Sequence, residues 1–238
     1  MKAALSPAAL YEWRRCTSAR STKWLLGLVV LAGVIAGVQN LVSGSSGSFQ
    51  SGAVGHASQV GLLAAALGAL AIGPEFRWNT IRQLFITFPR RYDSLAAKVG
   101  VVVGLVAAAS LLASVVGGAL GFGHRSAGES VVDWLDLSVR AVLVLAGWTI
   151  IGFAVAGLAR STVVGVAVPL VFAYLFETIV IQTIQSETLA NALPFYNASQ
   201  AVSVQLSTGE AYEHLAVFGI WVLICLGACT FVLGRRDA

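Results

Sequence analysis

Apolar residues in this chain form long unbroken blocks, and polar residues are confined to the segments between them. A helix that crosses a bilayer needs about 20 mostly apolar residues. Six blocks approach or exceed that length, at residues 24–42, 57–72, 95–121, 141–159, 163–184 and 215–233. Because the apolar residues run continuously and do not alternate with polar ones, the pattern favours transmembrane helices over a β-barrel. The second block is short, and Gly73 and Pro74 behind it allow the helix to continue with a bend.

The composition agrees with a membrane protein. Of the 238 residues, 57% are hydrophobic and only 11% are charged, whereas about a quarter of the residues in a soluble domain are charged. So few charges indicate that lipid covers most of the surface. The net charge of +4 then reflects where the basic residues lie, and it gives no reason to expect a nucleic-acid partner.

The basic residues predict an orientation, because cytoplasmic loops of membrane proteins carry an excess of Lys and Arg. With both termini in the cytoplasm, all 15 Lys and Arg residues except Arg125 and Arg140 lie in cytoplasmic segments. We therefore expect one transmembrane domain over residues 1–238. Its parts are a cytoplasmic segment (1–23), spans one and two (24–73), a second cytoplasmic segment (74–94), spans three to five (95–184), an outer segment (185–214), and span six with a basic tail (215–238).

The cytoplasmic segment between the second and third spans has a helical pattern. It begins GPEFRWNTIRQLFITFPRR, after a stretch from residue 24 to residue 74 that contains no Asp, Glu, Lys or Arg. Pro74 suits the first turn of a helix, and Pro89 ends the pattern. An apolar face and a polar face alternate at helical spacing. The apolar face has Trp78, Ile81, Leu84, Phe85 and Phe88, and the polar face has Glu75, Asn79, Arg82 and Gln83. The segment is either an interfacial helix on anionic headgroups or a docking element for a cytoplasmic partner.

The same stretch resembles a known family. EFRWNTIRQLFITFPRRYDSLAAK is similar to the segment between the second and third spans in permease subunits of ABC transporters of the second type. That segment has a Glu, then a Thr, a Pro-Arg turn, and a Lys that opens the next span. The matching positions are Glu75, Thr80, Pro89, Arg90 or Arg91, and Lys98. Asn79 stands where the family usually has Gly.

Three further stretches resemble the same family, in the same order along the chain. YEWRRCTSARSTKW, at residues 11–24, is similar to the N-terminal helix of actinobacterial members. LPFYNASQAV, at residues 193–202, is similar to the outer re-entrant segment before the last span. The ending GRRDA resembles the basic C-terminus of these permeases. Together the four stretches extend the resemblance over the whole chain.

The resemblance implies an all-α fold of six spans with two further helices. The first is an elbow helix along the inner leaflet, which contains Glu12, Trp13, Arg14 and Arg15. Leu10 and Trp13 would face lipid there, and Arg14 and Arg15 would face headgroups. The second is a coupling helix seated on a separate ATP-binding subunit. Its coupling residues would be Glu75, Asn79, Thr80, Arg82, Pro89, Arg90 and Arg91.

The resemblance also implies an assembly in the bacterial cytoplasmic membrane. Two permease subunits, identical or paralogous, would meet through their first and fifth spans, and we assign Gly33 and Gly37 to that interface. Two copies of the ATP-binding subunit would bind ATP and magnesium, so no cofactor or metal is expected on this chain. The expected activity is export of an amphipathic or hydrophobic substrate, such as a drug, lipid or peptide, by alternating access.

The chain lacks the phosphate-binding loop G-x-x-x-x-G-K-[ST], so it is not expected to hydrolyse ATP or to be an enzyme by itself. An intramembrane enzyme is an alternative, but the sequence has no H-E-x-x-H motif and no pair of Asp residues within a span. A secondary transporter or channel is another alternative, because such proteins place ionisable groups inside the membrane.

One acidic residue falls within an apolar block. Counted from the start of the fifth block, Glu177 lies about 20 Å along a hydrocarbon core about 30 Å thick. A carboxylate at that depth should be paired, protonated or exposed to a wet cavity. We expect Glu177 either to pair with Arg140, which precedes the fourth block, or to line a substrate pathway. The sequon at Asn197 and the i,i+4 pair Cys225 and Cys229 are interpreted as a chance match and as small buried residues.

Overall fold

The computed structural model describes residues 7–43, 48–78, 80, 91–121 and 130–235. All regular structure within these ranges is helical. The helices are α1 (Pro7–Ser18), α2 (Arg20–Ser43), α3 (Ser48–Arg77), α4 (Arg91–Gly121), α5 (Val131–Ala159), α6 (Thr162–Val171), α7 (Glu177–Ile184), α8 (Glu187–Ala190), α9 (Pro194–Ala201) and α10 (Thr208–Arg235). A π-helical turn at Phe172–Phe176 joins α6 to α7.

Six helical stretches are long and apolar enough to cross a membrane. They are Arg20–Val42, Gln50–Arg77, Tyr92–Gly121, Val131–Ala159, Thr162–Ile184 and Thr208–Gly234. Each contains one of the six blocks predicted from the sequence. The prediction of an all-helical fold with six helices that could span a membrane is thereby confirmed for the part of the chain that the structure describes, and it fits a multi-pass membrane protein.

Three spans begin well before the apolar blocks, the second at Gln50, the fourth at Val131 and the sixth at Thr208. Helix α5 starts at Val131, because the Ser130 hydroxyl accepts a hydrogen bond from the Asp133 N–H at 3.1 Å and the Asp133 carboxylate accepts one from the Ser130 N–H at 3.2 Å. This reciprocal arrangement is a capping box. Helix α10 starts at Thr208, so Glu210 also lies on a helix. Asp133 and Glu210 thus both lie in the first turn of a helix.

Helix α3 continues through Gly73 and Pro74 to Arg77, so the second span does extend past its apolar block, and the prediction that Pro74 lies in the first turn of a separate helix is wrong. Proline removes one N–H from the ladder but leaves the carbonyl groups available. The Trp78 N–H still donates to the Pro74 carbonyl oxygen at 3.0 Å. Residues 79 and 81–90, which would form most of the coupling helix, lie outside the described residues.

Helices α3 and α5 form the centre of the bundle. The most apolar windows of their spans are 61% and 67% buried, against 17% for the fifth and sixth spans. The two central helices approach closely because each has a glycine at the contact. A Cβ at Gly68 would collide with Thr149, and a Cβ at Gly152 would collide with Ala65. The fifth and sixth spans therefore lie at the periphery, with exposed apolar side chains.

Gly33 and Gly37 are also used inside the bundle, which corrects their assignment to an interface between two copies. A Cβ on Gly33 would lie 2.5 Å from the Ala113 carbonyl oxygen, and one on Gly37 would lie 2.9 Å from the Leu120 Cβ. Both glycines thus face α4 of the same chain. The small-residue spacing in the first span lets α2 pack against α4.

The two ends of the bundle differ. At the end that we call basal, α1 packs against the last turn of α3 and the first turns of α4. At the other end, which we call apical, α9 packs against α10 and contacts α5, and α8 contacts α7. Charged side chains are buried at both ends, and each end is a candidate site.

Candidate functional site

Four charged side chains from three helices converge at the basal end. We call Glu12, Arg15, Glu75 and Lys98 the basal charge cluster. The Lys98 Nζ donates to Glu12 Oε1 at 2.6 Å and to Glu75 Oε1 at 2.9 Å. The Arg15 Nη1 donates to the same Glu75 oxygen at 2.8 Å. The cluster thereby ties α1 to the end of α3 and the start of α4.

Backbone and hydroxyl groups complete the cluster. The Arg15 Nη2 donates to the Ala71 carbonyl oxygen at 2.6 Å, in the turn of α3 that contains Pro74. The Thr80 hydroxyl donates to Glu75 Oε2 at 2.5 Å. The Arg15 Nε lies 3.0 Å from Glu12 Oε2, but its N–H does not point along that line, so this contact is an ion pair without a hydrogen bond. Glu75 therefore has three donors, all from other helical turns or other helices.

Three of the four members of the basal charge cluster are almost sealed from solvent, and the Arg15 side chain is 26% exposed. Lys98 is 0% exposed, Glu12 is 2% exposed and Glu75 is 6% exposed. Two carboxylates and two cations balance, so no net charge is buried. In such surroundings a hydrogen bond is stronger than in water, and an unpaired charge is far more costly. The cluster consequently fixes the relative positions of α1, α3 and α4.

All four residues of the cluster were predicted from the sequence in separate roles, and the role predicted for Arg15 differs from the one in the structure. Arg15 was expected to face lipid headgroups, but it points into the cluster because Glu75 and Ala71 offer it buried acceptors. Leu10, Trp13 and Arg14 do lie on the exposed side of α1. Cys16 lies on the buried side, and burial raises the pKa of its thiol above the ordinary value of 9.0.

The remaining predicted coupling residues are not brought into this site by the described structure. Asn79, Arg82, Pro89 and Arg90 lie outside the described residues, as does the side chain of Arg91. Of the predicted set, Glu75 and Thr80 are therefore the members whose contacts are known. They stand where the chain leaves α3 toward the segment at 81–90.

At the apical end, Glu177 binds the start of α9. Its carboxylate accepts hydrogen bonds from the Phe195 N–H at 2.9 Å and from the Tyr196 N–H at 2.6 Å. The first helical residue, Pro194, has no N–H, and the N-cap Leu193 has no side chain that can accept one. A helix start needs acceptors for its free N–H groups. Glu177 supplies them from another span.

Arg140 binds the opposite end of the same helix. Its Nη1 donates to the Ala201 carbonyl oxygen at 3.0 Å, and its Nε lies 2.9 Å from the Asp136 carboxylate. A carboxylate at the N-terminus and a guanidinium at the C-terminus both interact favourably with the dipole of α9. The direct Glu177–Arg140 pair that we expected is thus replaced by a pair of contacts at the two ends of α9.

Asn197 holds the middle of this segment. Its Nδ2 donates to the Asn191 and Leu193 carbonyl oxygens at 2.9 and 2.6 Å. Its Oδ1 lies 2.7 Å from His214 Nδ1, which requires that nitrogen to be the donor. The side chain is 0% exposed. The sequon at Asn197 is therefore folded into the interior, in agreement with its interpretation as a chance match.

A pocket of about 210 Å³ lies beside Glu177, and we call it the apical pocket. Trp148 and Phe195 form one wall, with ring centroids 4.2 Å apart. Tyr174 and Tyr196 line it further, together with small and hydroxyl-bearing residues of α3, α7 and α9. The π-helical turn directly before Glu177 changes the direction in which the following residues point, and such turns are frequent at functional sites.

Comparisons with protein-family models, with curated proteins and with solved structures found no match to this chain. Among the described residues, no group of three or more His, Cys, Asp or Glu side chains is arranged to hold a metal ion. The function must therefore be argued from the two sites themselves.

Proposed function

We propose that this chain is the permease subunit of an ATP-driven ABC exporter of the second type. Two permease subunits, identical or paralogous, would pair with two copies of a separate ATP-binding subunit in a bacterial cytoplasmic membrane. Both termini and the basal end would face the cytoplasm. ATP and magnesium would bind to the partner subunit. The cargo would be amphipathic or hydrophobic, such as a drug, a lipid or a peptide.

The observation that carries this proposal is the basal charge cluster. A permease driven by another subunit needs a cytoplasmic element that transmits movement to its spans. That element must be held rigidly where it joins the spans. The chain leaves α3 directly after Glu75, and that carboxylate is held by Lys98, Arg15 and Thr80. Any displacement of the segment at 79–90 would therefore reach α1, α3 and α4 together.

A purely interfacial role for the segment would not need a buried charge cluster at the point where the segment begins. A helix that floats on headgroups requires an apolar face and positive charge, and neither depends on a buried network at its origin. The resemblance of residues 75–98 to the coupling region of the family also supports the docking role. In the secondary-transporter alternative, Glu177 would act in transport while its two oxygens also accept the backbone N–H groups at the start of α9.

The test is the recovery of an ATP-binding protein with the permease. We expect affinity purification from native membranes to retain a protein with a phosphate-binding loop, identified by mass spectrometry. Arg82→Glu should lower its recovery, because the substitution reverses charge on the predicted docking face. Arg14→Glu makes the same change on the exposed side of α1 and should leave recovery unaltered. Equal recovery in all three proteins, or no nucleotide-binding protein in any, would overturn the proposal.

A further inference from the structure

The apical pocket contains a carboxylate without a cationic partner. Glu177 is 2% exposed, and its hydrogen bonds are both from backbone N–H groups of α9. Among the described residues that line the pocket there is no Lys, Arg or His. A carboxylate has about four lone-pair positions, so the two N–H groups leave acceptor capacity on each side. The pocket therefore has a net negative charge.

Aromatic rings surround that carboxylate. Trp148, Phe195, Tyr174 and Tyr196 all line the pocket, and Phe172 lies behind Phe195 with ring centroids 6.1 Å apart. The faces of aromatic rings attract organic cations within about 6 Å of the centroid. A buried anion inside an aromatic wall is the arrangement that recognises a cation with an apolar body, since the charge and the body are both accommodated.

The mouth of the pocket is polar although it lies within the spans. Ser58 on α3 and Thr178 on α7 line it and are exposed, and so is Ser199 on α9. Thr178 is about 9 Å from the apical end of its span at 1.5 Å per residue. Irregular backbone such as the α8–α9 connection is tolerated at membrane depth where it is buried or lines a water-filled cavity. The mouth thus fits a water-facing path better than a lipid-facing surface.

We propose that the apical pocket binds a small monovalent organic cation with an aromatic or aliphatic body, whose charge is held by Glu177 and whose body packs on Trp148 and Phe195. A volume of about 210 Å³ is below the usual range of pockets for drug-sized ligands, which begins at about 300 Å³. The pocket thus accepts a small cation or the cationic end of a larger amphiphile. That the cation is cargo rests on the proposed export function, whereas the binding itself does not.

The experiment measures binding to the purified chain alone in detergent micelles, by isothermal titration calorimetry. The probe is benzyltrimethylammonium, and its neutral isostere neopentylbenzene and the anion benzenesulfonate are the matched controls. We expect the cation to bind and the neutral isostere to bind about tenfold or more weakly, because it lacks the charge-assisted contact. Benzenesulfonate should not bind. Equal binding of the cation and its neutral isostere, or no binding of the cation, would refute the proposal.

Variants locate the site. Glu177→Gln should weaken binding of the cation about tenfold or more, whereas Glu213→Gln removes an exposed carboxylate of α10 and should not change it. Because Glu177 also caps α9, Glu177→Gln can reduce stability, so Tyr174→Leu serves as a second variant. Tyr174 is 55% exposed and supports little packing, and its loss should weaken binding about three- to tenfold. Unchanged binding in Tyr174→Leu would place the probe elsewhere. Since no ATP-binding subunit is present, these results stand apart from the recovery experiment.

Discussion

Lys98→Met is the most informative perturbation of the basal charge cluster. The substitution keeps the length and apolar part of the side chain and removes the ammonium group. It deletes hydrogen bonds of 2.6 and 2.9 Å to Glu12 and Glu75 in a position that is 0% exposed. Two carboxylates then share the single cation Arg15, so the buried site acquires a negative charge.

The size of the effect follows from that burial. Removing one partner of a buried ion pair costs about 3–5 kcal/mol, whereas an exposed pair is worth about 0–1 kcal/mol. For a chain of this size, the cost of about 3–5 kcal/mol corresponds to a fall in thermal midpoint of roughly 6–20 °C. Lys23→Met, at an exposed position on α2, should change stability by about 0.5 kcal/mol or less.

A double substitution tests whether charge is the reason. Glu12→Gln together with Lys98→Met removes one charge of each sign and leaves Arg15 paired with Glu75. We expect the two changes to cost less together than the sum of the single changes, with a coupling of about 1–3 kcal/mol. Thermal unfolding in detergent, followed by near-ultraviolet circular dichroism, compares the wild type, the two single variants, the double variant and Lys23→Met. If Lys98→Met loses no more stability than Lys23→Met, the cluster is solvated and does not hold the junction between α3 and the following segment rigid.

Three further predictions concern other parts of the chain. Asn197→Asp should lower the thermal midpoint, because it removes both donors to Asn191 and Leu193, whereas Ser199→Ala destroys the same sequon at an exposed position and should be neutral; equal effects would contradict the interior role of Asn197. Gly33→Val should destabilise the single chain through a clash with Ala113, whereas Gly27→Val, where a Cβ meets nothing within 4 Å, should not. If Gly33→Val leaves the thermal midpoint unchanged and gel filtration shows only lost dimerisation, the assignment of Gly33 to an interface between copies is restored. The third prediction concerns Cys16 in a Cys225→Ser/Cys229→Ser background. Its thiol should react with N-ethylmaleimide more slowly in the native than in the denatured protein, and faster as pH rises toward 9, because its raised pKa keeps the thiolate scarce. Equal native and denatured rates would show that α1 is not docked.

The spans could be predicted from the sequence because bilayer thickness fixes the length of an apolar helix. Their ends could not, because helices continue past the hydrocarbon where charge is tolerated. Asp133, for example, lies before the apolar block at 141–159 but completes the capping box of α5. Local motifs of this kind are visible in a sequence once the search includes S-x-x-D before an apolar block.

The sites depended on contacts between residues far apart in the chain. Lys98 is 86 residues from Glu12 and 23 residues from Glu75, and one sequence gives no distance between them. A signal did exist for Glu177. The Leu193-Pro194 start of α9 has no capping side chain, so an acceptor had to come from another segment. That requirement would have favoured a capping role for Glu177 over a pair with Arg140.

The central claim is that the segment after α3 docks on an ATP-binding subunit. It is tested most directly by a photo-crosslinking amino acid placed at Arg82, with the same residue placed at Trp13 on the exposed side of α1 as the control. After irradiation of native membranes, position 82 should crosslink to a protein that contains a phosphate-binding loop, and position 13 should not. Crosslinks from position 82 to lipid alone would contradict the account and leave the segment as an interfacial helix.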